Sequence, residues 1–521
     1  MSFRLRDYQA ECVEAISAAH EEHDAVLCEL PTGTGKTEIF VEYSRRFPRT
    51  MIVAPWLTLI DQAAKKIKDR TGEWPAIEQG KLWANEGEWG RLPHVVASKA
   101  SLTRISAKNP HPRYLRFHEI DLVIVDEAHY SATRSYRDML QYFRAHGAKV
   151  LGVTATAKRH DETALGEVYD TVAYQYPMIT AIEDGWLCRP RVICKQLESL
   201  DLTAVETAYT VNGKDFNLCQ LNEQLEQEAV LLEIAAATAE STRDQKTAVY
   251  CSSVAEAEAV SGLLNDRHGI KSGWVCADTK KVTKVQWRDT MDAFRAGELT
   301  HICNVGQLTV GWDFPGLQAI VMGRPTKSLP LYIQIMGRGT RPLPGTVDFP
   351  DSTPATRKHS IERSRKPFFR VIDLVDNSLE HKIVTAPDVL EGKYSIEAIA
   401  RMKSEADSGD EFDLSEAAIR AEEDVHVRME NRRLRARVAA QVSARFRDTA
   451  ADPFGHGRVA SSGRRAGAIK TPATDKQRKL LWVRGIKDVD QLNLSKAQAS
   501  RMIGQLIKGT PVAEVRRTNR L

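Results

Sequence analysis

The chain has 521 residues, 42% hydrophobic and 27% charged, a globular balance too long for one compact core, so two to four domains are expected and wholesale disorder is excluded. No run of about 18 apolar residues occurs, which excludes a helical membrane protein. The net charge of +4 is small for this length, so composition alone does not announce a nucleic-acid binder.

The first seven residues carry no apolar core and no cleavage site, so no secretory signal is expected. Asp7–Ala19 then reads as a helix, and Ala25–Leu30 as a buried strand. Thr50–Ala54, His94–Ala97, Leu122–Val125 and Lys149–Val153 repeat the strand signal, with helical patterns such as Leu57–Lys68 between them. This β-then-α rhythm predicts a parallel sheet with helices on both faces. It pauses across about 190–240 and resumes with Thr247–Cys251, Ser272–Val275, Thr300–Asn304, Ala319–Met322 and Phe369–Leu374. Two successive α/β domains are the natural reading.

After Pro387 the strand signals stop. Ser395–Ala406 and Leu414–Arg447 look helical, 449–474 reads as a flexible linker, and Thr474–Lys508 recovers amphipathic periodicity as a small helical module. Charge is uneven here: residues 401–426 hold nine acidic and three basic side chains, and 457–521 hold fifteen basic and four acidic. Such a tail suits phosphate binding, or serves only as a solvated face. Eight cysteines without a C-x-x-C pair argue for reduced thiols in a cytoplasm, against a disulfide framework or zinc. His20, His23 and Asp24 have helical spacing, but a solvated polar turn explains them as well.

Chemistry concentrates in two places in the first half. Leu30-Pro31-Thr32-Gly33-Thr34-Gly35-Lys36-Thr37 follows a strand and opens a helix. Its glycines let backbone wrap phosphates, Lys36 would reach the β- and γ-phosphates, and Thr37 would ligate Mg²⁺. The strict phosphate-loop pattern wants Gly where Leu30 stands. The strand Leu122–Val125 delivers Asp126-Glu127-Ala128-His129 to its carboxyl end, with Asp126 placed for Mg²⁺ and Glu127 for the attacking water.

With these segments the chain resembles the superfamily 2 helicases and translocases over about residues 3–385. The match is to the DEAH-bearing branch that includes XPB-type repair helicases, restriction-enzyme motor subunits and phage helicases. The resemblance implies two tandem RecA-like domains: 1–185 with the ATP site, a connecting segment at 186–240, and 241–386 with arginine fingers. A charged helical region (387–448), the linker (449–473) and a basic helical module (474–521) would follow. Gln9 in Arg4–Gln9 would read adenine, and Thr32, Gly33, Thr34 and Gly35 would cradle phosphate. Pro55, Gln62 and Ser98 would touch nucleic acid. Thr154 and Thr156, with His129 and Gln334, would couple hydrolysis to movement. Gly311 and Asp313 resemble the fifth motif, and Gln334–Arg341 the sixth, with Arg338 and Arg341 as fingers. Many members carry Arg where this chain has Ile335.

The implied activity is an ATP- and Mg²⁺-dependent DNA helicase or duplex translocase in a bacterial cell or phage-infected host. An RNA helicase and a non-catalytic motor-fold subunit are the alternatives, and a partner protein at the C-terminal module is possible on this sequence. Trp56, Trp186, Trp274 and Trp312 could stack bases or pack in the core.

Overall fold

The computed structural model describes residues 4–430, apart from 85, 87–90, 106–109, 156–164, 211–212, 309–311, 351, 376–382, 391–392 and 407, and most of 473–519. Two compact units divide near Arg433 and Leu434. Among the described residues no helix is long and apolar enough to cross a membrane.

The first sheet holds β1 (Ala25–Glu29), β2 (Thr50–Ala54), β3 (Ala76–Glu78), β4 (His94–Ser98), β5 (Leu122–Asp126), β6 (Lys149–Thr154) and β7 (Thr171–Gln175). Their order is β3-β4-β2-β5-β6-β1-β7, and every pairing is parallel. β2, β4 and β5 are buried along their whole length, as continuous apolar runs covered on both faces must be. Helices Asp7–Glu22, Lys36–Ser44 and Leu57–Thr71 supply one cover through Ile16, Phe40 and Ile60, and Tyr136, Leu140 and Phe143 the other. Parallel strands place all their carboxyl ends on one edge, where α/β sheets bind ligands.

The second sheet is built from β8 (Pro190–Gln196), β11 (Thr247–Tyr250), β12 (Ser272–Cys276), β13 (His301–Val305), β14 (Ala319–Met322), β15 (Phe369–Val375) and β16 (Phe412–Asp413). A hairpin of β9 (Thr207–Thr210) and β10 (Gly213–Phe216) stands apart from it. The order is β12-β13-β11-β14-β15-β8-β16, parallel except for β16 on β8. This corrects two expectations. Residues 190–196 are a strand of the second sheet rather than a connector, seven residues long beside β15. Strand pairing also continues past Pro387, because Phe412 pairs with Val192. The flanking segment is apolar enough to be core: Ala398, Met402, Leu414, Ala418 and Ala421 are buried in it.

The C-terminal unit has helices Asp475–Val483, Lys496–Ile507 and Val512–Asn519 around Leu481, Ile486, Leu494, Ala499, Met502 and Val515. The linker 449–473, most of the basic stretch 428–447, Thr156 and Gly311 lie outside the described residues, apart from Ala473 at the linker's end.

Candidate functional site

The phosphate loop leaves β1 at Leu30, a residue fully buried in the core. Leu30 N–H donates to the Thr154 carbonyl at 2.9 Å, so an apolar strand residue stands where the strict motif has glycine. Gly33 (φ 94°) and Gly35 (φ 76°) hold left-handed backbone that other residues adopt only under strain. A Cβ on Gly35 would meet Gln9 Nε2 at 2.7 Å. Thr34 Oγ1 donates to the Pro31 carbonyl at 2.7 Å, and Lys36 Nζ to the Leu30 carbonyl at 3.3 Å. Thr37 follows Lys36 in the first turn of helix Lys36–Ser44.

The loop is tied from behind by the segment the sequence assigned to the base. Tyr8 Oη and Gln9 Nε2 both donate to the Thr34 carbonyl, at 2.6 and 2.8 Å. Gln9 Oε1 accepts from Arg6 N–H at 3.0 Å. Both ends of that amide are engaged within the protein, and Arg6 itself pairs with Asp348 at 2.8 Å.

At the end of β5, Asp126 and Glu127 are both buried. Burial, then the neighbouring Glu127 charge, push the Asp126 carboxyl up, against the pull of Lys36 and Arg338. Glu127 is the only non-glycine with positive φ among the described residues (φ 52°, ψ 53°), a conformation that costs about 1–2 kcal/mol. Its Oε2 is buried without a hydrogen bond, 3.5 Å from His129 Nδ1. Two buried carboxylates, one with an unsatisfied oxygen, and the Thr37 hydroxyl at the same sheet edge are oxygen donors of the kind that suits a hard divalent cation such as Mg²⁺.

His129 joins the halves. Gln334 Nε2 lies 3.3 Å from His129 Nε2, and His129 Nδ1 lies 3.2 Å from Thr154 Oγ1. Gln334 lies in helix Leu329–Gly339, whose Gly337 packs on the phosphate loop: a Cβ there would meet Thr32 Cβ at 2.7 Å. Ile335 is buried, so the position that departs from the family pattern is a core position here. Arg338 is half-buried and donates to the Trp312 carbonyl at 2.6 Å; desolvation lowers its pKa while Tyr250 and Glu127 raise it. Arg341 pairs with Asp313, and its Cγ lies 3.1 Å from where a Cβ on Gly33 would stand.

Known proteins repeat this layout. Residues 2–159 match the family of type III restriction enzyme res subunits, and 224–342 match the helicase conserved C-terminal domain. The chain is similar to superfamily 2 helicases and to restriction-enzyme motor subunits. IRC3 of Saccharomyces cerevisiae, named as a candidate ATP-dependent helicase, is 29% identical over 362 residues, 65% of this chain and 49% of its own. The type I restriction enzyme EcoKI endonuclease subunit of Escherichia coli is 24% identical over 459 residues, 76% of this chain and 36% of its own. The type ISP restriction-modification enzyme LlaBIII, solved bound to DNA, shares the fold at 16% identity with a TM-score of 0.52, over 72% of this chain and 28% of its own. The chain thus spans about half the length of IRC3, and less of the restriction enzymes.

Sequence reasoning missed two supports of the site. Lys366 is buried and donates to the Arg341 and Pro315 carbonyls at 2.6 and 2.9 Å; burial pushes its pKa down to about 8. Asp215 is buried at the foot of the β9–β10 hairpin and accepts from Arg324, Thr326 and the Lys327 amide. Neither lies in a motif, so only the fold reveals them. The candidate nucleic-acid residues share the carboxyl edge, but unequally. Gln62 is exposed and Pro55 half-buried, while Ser98 is buried and Lys99 follows it at the strand end.

Proposed function

We propose that the chain is an ATP-dependent DNA helicase or duplex DNA translocase. The observation that carries this reading is the meeting of two halves at one centre: the helix that bears Arg338 reaches His129 through Gln334 at 3.3 Å and packs its Gly337 against Thr32 of the phosphate loop. In phosphoryl transfer the protein's work is positioning and charge stabilisation, and an arginine supplied by a second body completes the transition-state shell. Lys36 and the loop amides would hold the β- and γ-phosphates of ATP. Thr37 and Asp126 would hold Mg²⁺, which when bound neutralises phosphate charge. Glu127 would take a proton from water, and Arg338 and Arg341 would act on the charge that develops.

His129 would report the state of Glu127 to Gln334 and Thr154, linking turnover to movement of one half against the other. Pro55, Gln62 and the strand end at Ser98 would grip a DNA strand across the carboxyl edge. The likeness to restriction enzymes, one of them solved bound to DNA, supports DNA as substrate over RNA. Unpaired thiols, seven of the eight buried, support a reducing, cytoplasmic location. The test is Lys36→Ala: ATP turnover is expected to vanish while DNA binding survives, since the lysine is a point charge on phosphate. Near-normal turnover by the folded variant would sink the assignment.

A further inference from the structure

We infer that Trp56 is a stacking platform for an unpaired base, so that this edge of the first sheet grips single-stranded nucleic acid by a base as well as by its backbone. The inference deepens the proposed function and rests on it. Four tryptophans have sequence positions open to either packing or stacking, and the structure separates them. Trp186 and Trp312 are buried, and Trp274 packs partly buried against the second core. Trp56 is 50% exposed and its neighbour Leu57 58%.

Position gives that exposure a meaning. Trp56 lies two residues beyond β2, and β2 ends with Ala54 in register with Ser98 of β4. Both strands are parallel to β1, β5 and β6, so Trp56 and Lys99 share the edge that carries the phosphate loop, Glu127 and Thr154. Lys99, whose pKa burial lowers, sits over the Tyr136 ring at 5.2 Å. It offers a cation at the neighbouring strand end for a phosphate of the bound strand. Trp74, also exposed, lies beside Pro93 and His94, where the chain enters β4, and so belongs to the opposite edge.

Local structure argues the same way. Trp56 is the N-cap of helix Leu57–Thr71 and makes no side-chain cap hydrogen bond. That position favours Ser, Thr, Asp or Asn, whose oxygen satisfies a free helix N–H, and an uncapped residue costs about 1 kcal/mol. A large apolar ring kept outside the core, at a position that favours a small polar side chain, breaks two local rules with no folding gain. Stacking on a base supplies the gain, because every base has a π face and an indole buries it without needing sequence.

The test measures affinities of the full chain, Trp56→Ala and Trp56→Phe for a dT oligonucleotide, a U oligonucleotide and a blunt duplex, each across a salt series. Trp56→Ala is expected to lose about 5- to 150-fold on a single strand. Trp56→Phe should recover most of the loss, and the duplex should be affected far less. The salt slope should not change, since no phosphate contact is removed. Whichever oligonucleotide shows the loss identifies DNA or RNA as the strand. An equal loss on the duplex, a flatter salt slope, or unchanged affinity each overturns the stacking role. If the wild-type chain binds none of the three, the functional reading fails with it; if DNA-stimulated ATP turnover is present and Trp56→Ala binds normally, only the inference fails.

Discussion

At the scale of single residues, the site is marked by side chains and backbone held where folding alone would not put them. Glu127 combines a left-handed backbone, burial and an oxygen without a hydrogen bond, each unfavourable for stability. A carboxylate that must receive a proton from water gains from such a setting, because it is not already satisfied by protein donors. Glu127→Gln keeps the size and the backbone and removes the proposed base. Turnover should fall by about 10²–10⁴ while ATP still binds; weaker ATP binding with unchanged turnover would contradict the role. The motif residues were legible because each is a chemical type at a fixed distance from a strand end. What those residues touch was not: the Gln9 amide tied to Thr34 follows from how the first helix packs across the loop, which no local pattern encodes.

At the scale of elements, ten of the parallel strands were readable as apolar runs, and their observed limits lie within a residue or so of the sequence reading. The short β3 and the half-exposed β7 were not, nor was β8. Its pattern over Pro190–Gln196 alternates buried with half-buried positions and includes Arg191 and Lys195, as an off-centre strand partly facing water does, so a rule tuned to continuous apolar runs passes over it. The acidic stretch 401–426 likewise finds its reason only in the fold. Asp413 and Glu416 pair with Arg189, Glu411 with Arg370, and Asp424 with Arg401. The β9–β10 hairpin is the element with the least expected consequence. Thr326 donates to Asp215 and accepts from Ser328 N–H, and Ser328 caps the helix that carries Gln334 and Arg338. Asp215→Ala would leave a half-buried guanidinium and an amide without their acceptor, a loss of about 1–3 kcal/mol. It should also lower kcat for ATP more than it raises KM, with Asp215→Asn intermediate. Thermal unfolding and steady-state kinetics check this together, and a lowered melting point with unchanged kcat would confine Asp215 to stability.

At the scale of the whole molecule, the question is what the C-terminal unit adds to the proposed motor, whose candidate site lies before it in the chain. Every ATP-site residue lies before 342, and the packing that supports the second sheet runs on to Val425. A chain cut near 385 would lose Ala398, Met402, Leu414 and Ala418 from the core and should fold poorly. A chain cut after Asp448 keeps them. The unit beyond has its own apolar centre, so it is a folded module bearing charge rather than a charged tail alone. Fifteen basic against four acidic residues over 457–521 suit contacts to phosphates, which release counterions and steepen the dependence of affinity on salt by nearly one unit of log–log slope each. Truncation after Asp448 should therefore leave basal ATP turnover intact, weaken DNA binding and flatten its salt dependence. The measurement is a salt titration of DNA affinity for the full and truncated chains. Equal slopes would remove the module from DNA and make a partner protein its target.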